Sequence, residues 1–275
     1  MSSGKIGLAS GKAACVFTYE MATEYVIPNL GKACRALKWI QREPEKPVTV
    51  KMVSKAVGIP YTTCFRILQT LTAEKFLRRE GDNYYLGSAL IPLGLGARKN
   101  MGIRKVALAF LQELSEQTGE TVQLAIPTEN RSMILEVVYG SHPLSATTSR
   151  PGTLVELYCS ATGKVFLTWA LRDKLEGLAK AEKFVRRTPK TLVTVEELAR
   201  ECEVIRERGY AIDEEEYFLG VRCIAAPVLD SEKRLLAAVG ITASVITLPV
   251  GKLPEFSDKL LETARKISRE MGGHH

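Results

Sequence analysis

The sequence predicts an α+β protein in two parts, and three observations predict it. Positive charge is concentrated in residues 28–100, where 13 Lys and Arg face five Asp and Glu, while residues 101–275 carry 23 against 24. Within that basic stretch, short helical patterns meet at a glycine. Beyond it, strand-like apolar runs fall in two groups around helical patterns, the order of a mostly antiparallel sheet flanked by helices rather than of alternating βαβ units.

A chain of 275 residues that is 45% hydrophobic is long enough for two domains with their own cores. No run approaches the roughly 18 apolar residues of a membrane span, and the start, MSSGKIGLASGKAACVF, is too weakly apolar for a leader; a cytoplasmic protein is expected. The cysteines, Cys15, Cys34, Cys64, Cys159, Cys202 and Cys223, form no C-x-x-C pair, so reduced thiols are expected rather than zinc ligands or disulfides. His142 is the only histidine outside His274 and His275, which follow two glycines like a tag remnant. Histidine-based catalysis has little to work with, and no metal, cofactor or catalytic residue is expected.

The charge asymmetry points to a basic domain that meets a polyanion. KACRALKWIQ (32–41) sets Ala33, Ala36, Leu37 and Ile40 at helical spacing, and Pro44 and Pro47 follow its end. Thr49 is placed to cap a second helix, VKMVSKAV, whose Val50, Val53 and Val57 share a face. Gly58 permits the left-handed exit from it. A third helix, YTTCFRILQTLTAE, buries Cys64 or Phe65 with Ile67, Leu68 and Leu71. Tyr61, Thr62, Thr63, Arg66 and Gln69 are then left on or near the opposite side. Counting from Val50, glycine at position nine and Val57, Ile59, Cys64 and Ile67 at eight, ten, fifteen and eighteen make the helix-turn-helix pattern.

FLRREGDNYYLG then reads as a β-hairpin turning at Gly81, Asp82 and Asn83. Three helices and a two-stranded wing make a winged helix-turn-helix, with DNA as the expected partner. Arg66 is the candidate for a bidentate guanine contact; Tyr61, Thr62 and Thr63 are placed for bases or phosphates. Lys51, Lys55, Arg78 and Arg79 are candidates for phosphate contacts. After the wing, residues 88–118 hold two helical patterns interrupted near Asn100 to Gly102, with an apolar side too wide for a free linker.

In the neutral part, residues 121–127, 131–138 and 143–150 read as strands, 161–171 and 196–208 as helices, then YAID, CIAAPVL and LLAAVGIT as strands and 254–271 as an amphipathic helix. Cys159-Ser160-Ala161-Thr162-Gly163-Lys164 precedes an apolar helical run, and its small residues leave backbone amides able to meet a carboxylate or phosphate. The nucleotide-loop spacing G-x-x-x-x-G-K-[ST] is absent.

The residues KACRALKWI, VGIPYTTCFRILQTLTAEKFLRREGDNYYLG, LQELSEQTGETVQLAI, SATGKVFLTWA, TLVTVEELARECEVIRERGYAIDEEEYFLGVRCIAAPVLD and LLAAVGIT resemble the IclR family of transcription regulators from about Leu30 to Arg269. The resemblance implies a winged-helix reader, a linker helix and a ligand-sensing domain related to GAF and PAS folds, in dimers, commonly paired into tetramers, on palindromic operators. The expected segments are an unassigned arm (1–27), the DNA-binding domain (28–90), the linker (91–104), the effector domain (105–272) and the terminal remnant (273–275).

Carried over from the family, the effector-binding positions are Ala161, Thr162, Gly163, Asp213, Cys223, Gly240 and Thr242. Asp213 and Cys223 would bond a hydroxyl or carbonyl while the loop amides take a carboxylate, making a small organic acid the expected effector. Gly240 departs from the family members that bind small keto acids, which tend to have serine there. Within Asp213-Glu214-Glu215-Glu216, at least Glu214 and Glu215 are expected to be solvated. Two alternatives stand beside the ligand-responsive regulator: an enzyme converting a small acid through Cys223 or Asp213, and a DNA-binding protein without a ligand.

Overall fold

The computed structural model of the protein describes residues 27–42, 46–128, 130–142, 150–181 and 184–272. The chain divides into two compact units between Met101 and Gly102. The expected arm at 1–27 lies outside the described residues except for Ile27, and the terminal 273–275 lies wholly outside them.

The first unit runs α1 (Pro28–Ile40), α2 (Val50–Val57), α3 (Tyr61–Ala73), β1 (Leu77–Glu80), β2 (Asn83–Leu86) and α4 (Leu90–Asn100). Thr49 caps α2, its hydroxyl accepting from the Met52 amide at 3.4 Å. Gly58 ends α2 at φ +66°, ψ +36°, a left-handed conformation that costs a side-chain-bearing residue about 1–2 kcal/mol. The corner is held from both sides: the Ser54 hydroxyl donates to the Ile59 carbonyl at 2.6 Å, and the Cys64 thiol to the Val50 carbonyl at 3.8 Å. Of the two residues that could have been buried on α3, Cys64 is enclosed and Phe65 is exposed.

Ala36, Ile40, Val53, Ile59, Leu68, Leu77 and Tyr84 are buried together as this unit's core. The wing turns at Gly81 and Asp82, because Asn83 already pairs with Glu80 inside the ladder. Tyr84 is buried at its root, bridging to Val48 through its amide at 2.8 Å.

The second unit contains α5 (Gly102–Thr118), β3 (Thr121–Pro127), β4 (Arg131–Val138), β5 (Leu154–Glu156), α6 (Ala161–Phe166), α7 (Leu175–Ala181), α8 (Val195–Arg208), β6 (Ala211–Glu214), β7 (Val221–Leu229), β8 (Leu235–Ser244) and α9 (Leu253–Glu270). The strands form one antiparallel sheet in the order β5-β4-β3-β8-β7-β6. Helices α5 and α9 pack together and against the sheet, and α6 packs against strands β4, β3, β8, β7 and β6. Side-chain alternation along the strands divides the two faces. Ala125, Ala211, Ala225 and Ala238 join Val165 and Phe166 of α6 and Leu198 and Cys202 of α8 in one core, whereas Ile224, Ala226, Val228, Val239 and Ile241, also buried, fall on the alternate positions.

Three expectations shift. Of the strand expected at 143–150, residues 143–149 lie outside the described residues, and Arg150 belongs to no strand; the next strand is β5, at 154–156. The helix expected over 161–171 is α-helical only to Phe166 and continues as a π turn through Leu171. Helix α7 falls where the sequence predicts no element, because its LEGLAKA is too short for periodicity to identify.

Candidate functional site

The angle set at Gly58 presents the start of α3. Tyr61 and Phe65, four residues apart, are exposed together, as are Thr62 and Arg66, while Thr63 is half-buried. Lys51 and Lys55 are exposed on α2. Gln69, expected near the open face, instead donates from Nε2 to the Tyr84 hydroxyl at 3.1 Å, tying α3 to the wing. Arg78 pairs with Glu80 and lies 4.2 Å over the Tyr85 ring. Arg79 donates from Nε to the Gly81 carbonyl at 2.6 Å and sits 3.4 Å from Asp82, so both wing arginines are held by local contacts. Phe65 joins this exposed surface because Cys64 takes the buried position that sequence periodicity offers to either residue.

The second unit holds a partly open cavity of about 250 Å³ against the start of α6. Strand register brings Asp213, Cys223 and Thr242 side by side on neighbouring strands, and all three line the cavity with Gln123, Ala161 and Thr162. Ile134, Val155 and Val221, with the rings of Tyr217 and Phe218, make its apolar part; Thr153 and Ser160 complete it. None of the lining residues is Lys, Arg or His.

The polar groups are mostly spent. The Cys223 thiol donates to Thr242 Oγ1 at 3.4 Å, and Thr162 shares a 2.8 Å hydrogen bond with Ser132. Asp213 Oδ1 accepts from the Glu216 and Tyr217 amides at 2.7 and 3.2 Å. Burial first, and then the charge of Glu216, push the Asp213 carboxyl up to about 7, with Lys164 opposing. Burial raises the Cys223 thiol well above its ordinary value, which keeps it protonated and a poor nucleophile.

Two family-derived positions support the cavity from behind rather than lining it. The Gly163 amide donates to Ser160 Oγ at 3.1 Å, so it is not open to a carboxylate, and a Cβ there would stand 2.6 Å from the Leu157 backbone. A Cβ at Gly240 would stand 3.3 Å from both Gln123 Cγ and Thr162 Cγ2. Lys164, of the Gly-Lys pair, is buried and spent on Glu216 and Glu201. Glu214 and Glu215 are half-buried rather than simply solvated: Glu214 pairs with Arg222, and Glu215 with Lys190 at 2.5 Å.

Gln123, Tyr217 and Phe218 line the cavity although the sequence alone does not mark them as site residues. The signal for Gln123 is only that of a polar residue inside TVQLAIP on the same alternation as Thr121.

An angled helix pair with a wing in one unit, and a cavity lined by both apolar and polar side chains in the other, define a ligand-responsive DNA-binding regulator. The family model for the IclR helix-turn-helix domain matches residues 30–81, and that for the bacterial transcriptional regulator IclR C-terminal domain matches residues 96–269. The chain is 30% identical to the HTH-type transcriptional regulator XynR of Escherichia coli K12, over 90% of this chain and 99% of that one. It is 32% identical to KdgR of the same organism, over 84% and 88%. Among solved structures, the Thermotoga maritima IclR aligns with a TM-score of 0.63 at 30% identity, covering 88% of this chain and 98% of that one. This chain belongs to the IclR family of transcription regulators. Its relatives are regulators and not enzymes, which removes the enzymatic reading of Cys223 and Asp213.

Proposed function

We propose that the protein is a cytoplasmic homodimer, or a pair of such dimers, that binds a palindromic operator through α3 and responds to a small organic acid held in the cavity. Residues 28–90 act as the reader, 91–104 as the linker and 105–272 as the sensor. The observation that carries the reading is the coexistence of exposed Tyr61, Thr62 and Arg66 at the tip of α3 with a cavity lined by the start of α6. Lys51, Lys55, Arg78 and Arg79 contact phosphates and Arg66, helped by Thr62 and Thr63, reads base edges.

Pairing is supported by α4, none of whose residues is buried and which exposes Ile91, Leu93 and Leu95; a second copy of that helix would cover them. Half-sites then lie about 34 Å apart or a multiple of it. In the cavity, Ala161, Thr162, Asp213, Cys223 and Thr242 surround the acid, with Gly163 and Gly240 shaping the space behind it. The acid acts by binding two dimer geometries with different affinity. Among the described residues no helix is long and apolar enough to cross a membrane.

Selection of bound fragments from genomic DNA tests the reading. A palindrome should emerge, and occupancy of that duplex should change with an organic acid that also raises the thermal midpoint of the protein. Equal binding to all duplexes, at every salt concentration, would overturn it.

A further inference from the structure

Among the described residues that line the cavity, one side-chain oxygen is both buried and without a hydrogen-bond partner. Gln123 lies on β3 opposite Gly240 of β8, is 6% exposed, and lines the cavity with its Oε1 buried and, among the described residues, without a hydrogen-bond partner. Its Nε2 is 3.4 Å from where a Cβ of residue 240 would stand. Glycine at 240 therefore leaves the room across which this carboxamide lies, and a serine would crowd it. A buried amide without a partner is costly, and a site retains such a group most readily where a ligand completes it.

A carboxamide offers an acceptor and a donor side by side. Which oxygen and nitrogen end is which does not alter the pairing it requires: an O–H to receive and an oxygen to bond. Cys223, Thr162, Ser132 and Asp213 Oδ1 bond other groups, and Thr153 and Thr242, which share the cavity, form no hydrogen bond to Oε1, so the pairing is left to a ligand. Beyond it, Ile134, Val155 and Phe218 offer an apolar wall.

We infer that Gln123 is the specificity-determining residue of the effector site and that the effector is a 2-hydroxy acid, its hydroxyl donating to Oε1 and its carboxylate oxygen accepting from Nε2. The inference rests on the organic-acid reading of the cavity. A 2-oxo acid sets an acceptor against Oε1, and an unsubstituted acid leaves it unpaired. Sites built to bond a hydroxyl reject analogues that lack it far more strongly than apolar pockets reject an extra methylene.

Calorimetric titration of the full-length protein with lactate, pyruvate and propionate, and with mandelate, benzoylformate and phenylacetate, tests this. The hydroxy member of at least one series should bind tenfold or more tighter than its oxo and unsubstituted partners. Gln123→Met, which keeps the length and removes both hydrogen-bonding atoms, should bring the three within about threefold of one another. Gly240→Ala, which crowds the carboxamide without adding a polar group, should narrow the preference in the same direction. Binding by the wild type with a preference that survives both substitutions overturns the role of Gln123 alone. Preference for the oxo or unsubstituted acid overturns the ligand class. Absence of binding by all six acids overturns the organic-acid reading and this inference with it.

Discussion

The ammonium of Lys164 is buried against the carboxylate of Glu216, joining the start of α6 to the turn that carries Tyr217 and Phe218 into the cavity wall. Glu201 of α8 lies 3.4 Å from the same ammonium. Burial opposes the lysine's charge, but Glu216 and Glu201 more than offset it, and its pKa is held above the ordinary lysine value.

Removing only the lysine therefore leaves buried carboxylates without their counter-charge. Lys164→Met should lower unfolding stability by about 3–5 kcal/mol, the usual cost of breaking a buried pair from one side. Adding Glu216→Gln should recover a large part of that loss. Urea unfolding of both variants followed by circular dichroism checks the prediction; equal loss in the two would mean that packing and not charge sets the cost.

Asp213 gives a pH signature. Its folded pKa is raised from 3.8 to about 7, so between those values the folded state holds a proton that the unfolded chain has released. Its contribution to stability is then fully present below pH 3.8, falls as pH rises through the window, and stays at its lowest above 7. Glu216, Lys164, Cys223 and the Glu216 and Tyr217 amides face it. Asp213→Asn can keep the amide contacts through its oxygen while losing the charge. It should stabilise the protein at pH 8 by roughly 2–4 kcal/mol, by less at pH 5, where the unfolded carboxyl is already ionised, and hardly at all below pH 4, as thermal unfolding across these values would show.

How far the sequence carried depends on the range of the force involved. Thr49, Gly58 and Cys64 act within a helix or across one turn, and their spacing announced the corner they form. The strands stand out as short apolar runs between turns, so β3, β4, β7 and β8 are legible in the sequence. The cavity's polar economy was hidden, because it depends on which groups satisfy one another across distant segments. Thr162 meets Ser132 and Lys164 meets Glu216 only after the sheet closes. For the same reason Gln123 looked like an ordinary strand residue, and Gln69 like a surface one, until its bond to Tyr84 was seen.

The corner at Gly58 makes its own prediction. A Cβ there would touch nothing within 4 Å, yet φ is +66°, so alanine is penalised by backbone conformation alone. Gly58→Ala should cost about 1 kcal/mol in the first unit and Gly58→Asn less, since asparagine tolerates this region. Hydrogen exchange at amides of α2 and α3 would register the difference, and an indifferent Gly58→Ala would show that α2 can end without the left-handed residue.

Arg66 separates reading from mere attraction. It is exposed on the same side of α3 as Thr62, one turn before it, whereas Lys51 and Lys55 stand on the preceding helix. Arg66→Ala should relax base preference at one position in each half-site, costing about 1–3 kcal/mol on the preferred duplex and little on others. Lys51→Ala should instead weaken every duplex alike and reduce the slope of log affinity against log salt by about one. Fluorescence anisotropy against the selected operator and its single-base variants, at several salt concentrations, measures both. If Arg66→Ala behaves as Lys51→Ala should, Arg66 is a phosphate contact, and the sequence preference must come from Tyr61, Thr62 or the exposed Phe65, whose rings and methyl groups can meet thymine methyls but cannot make a bidentate pair with guanine.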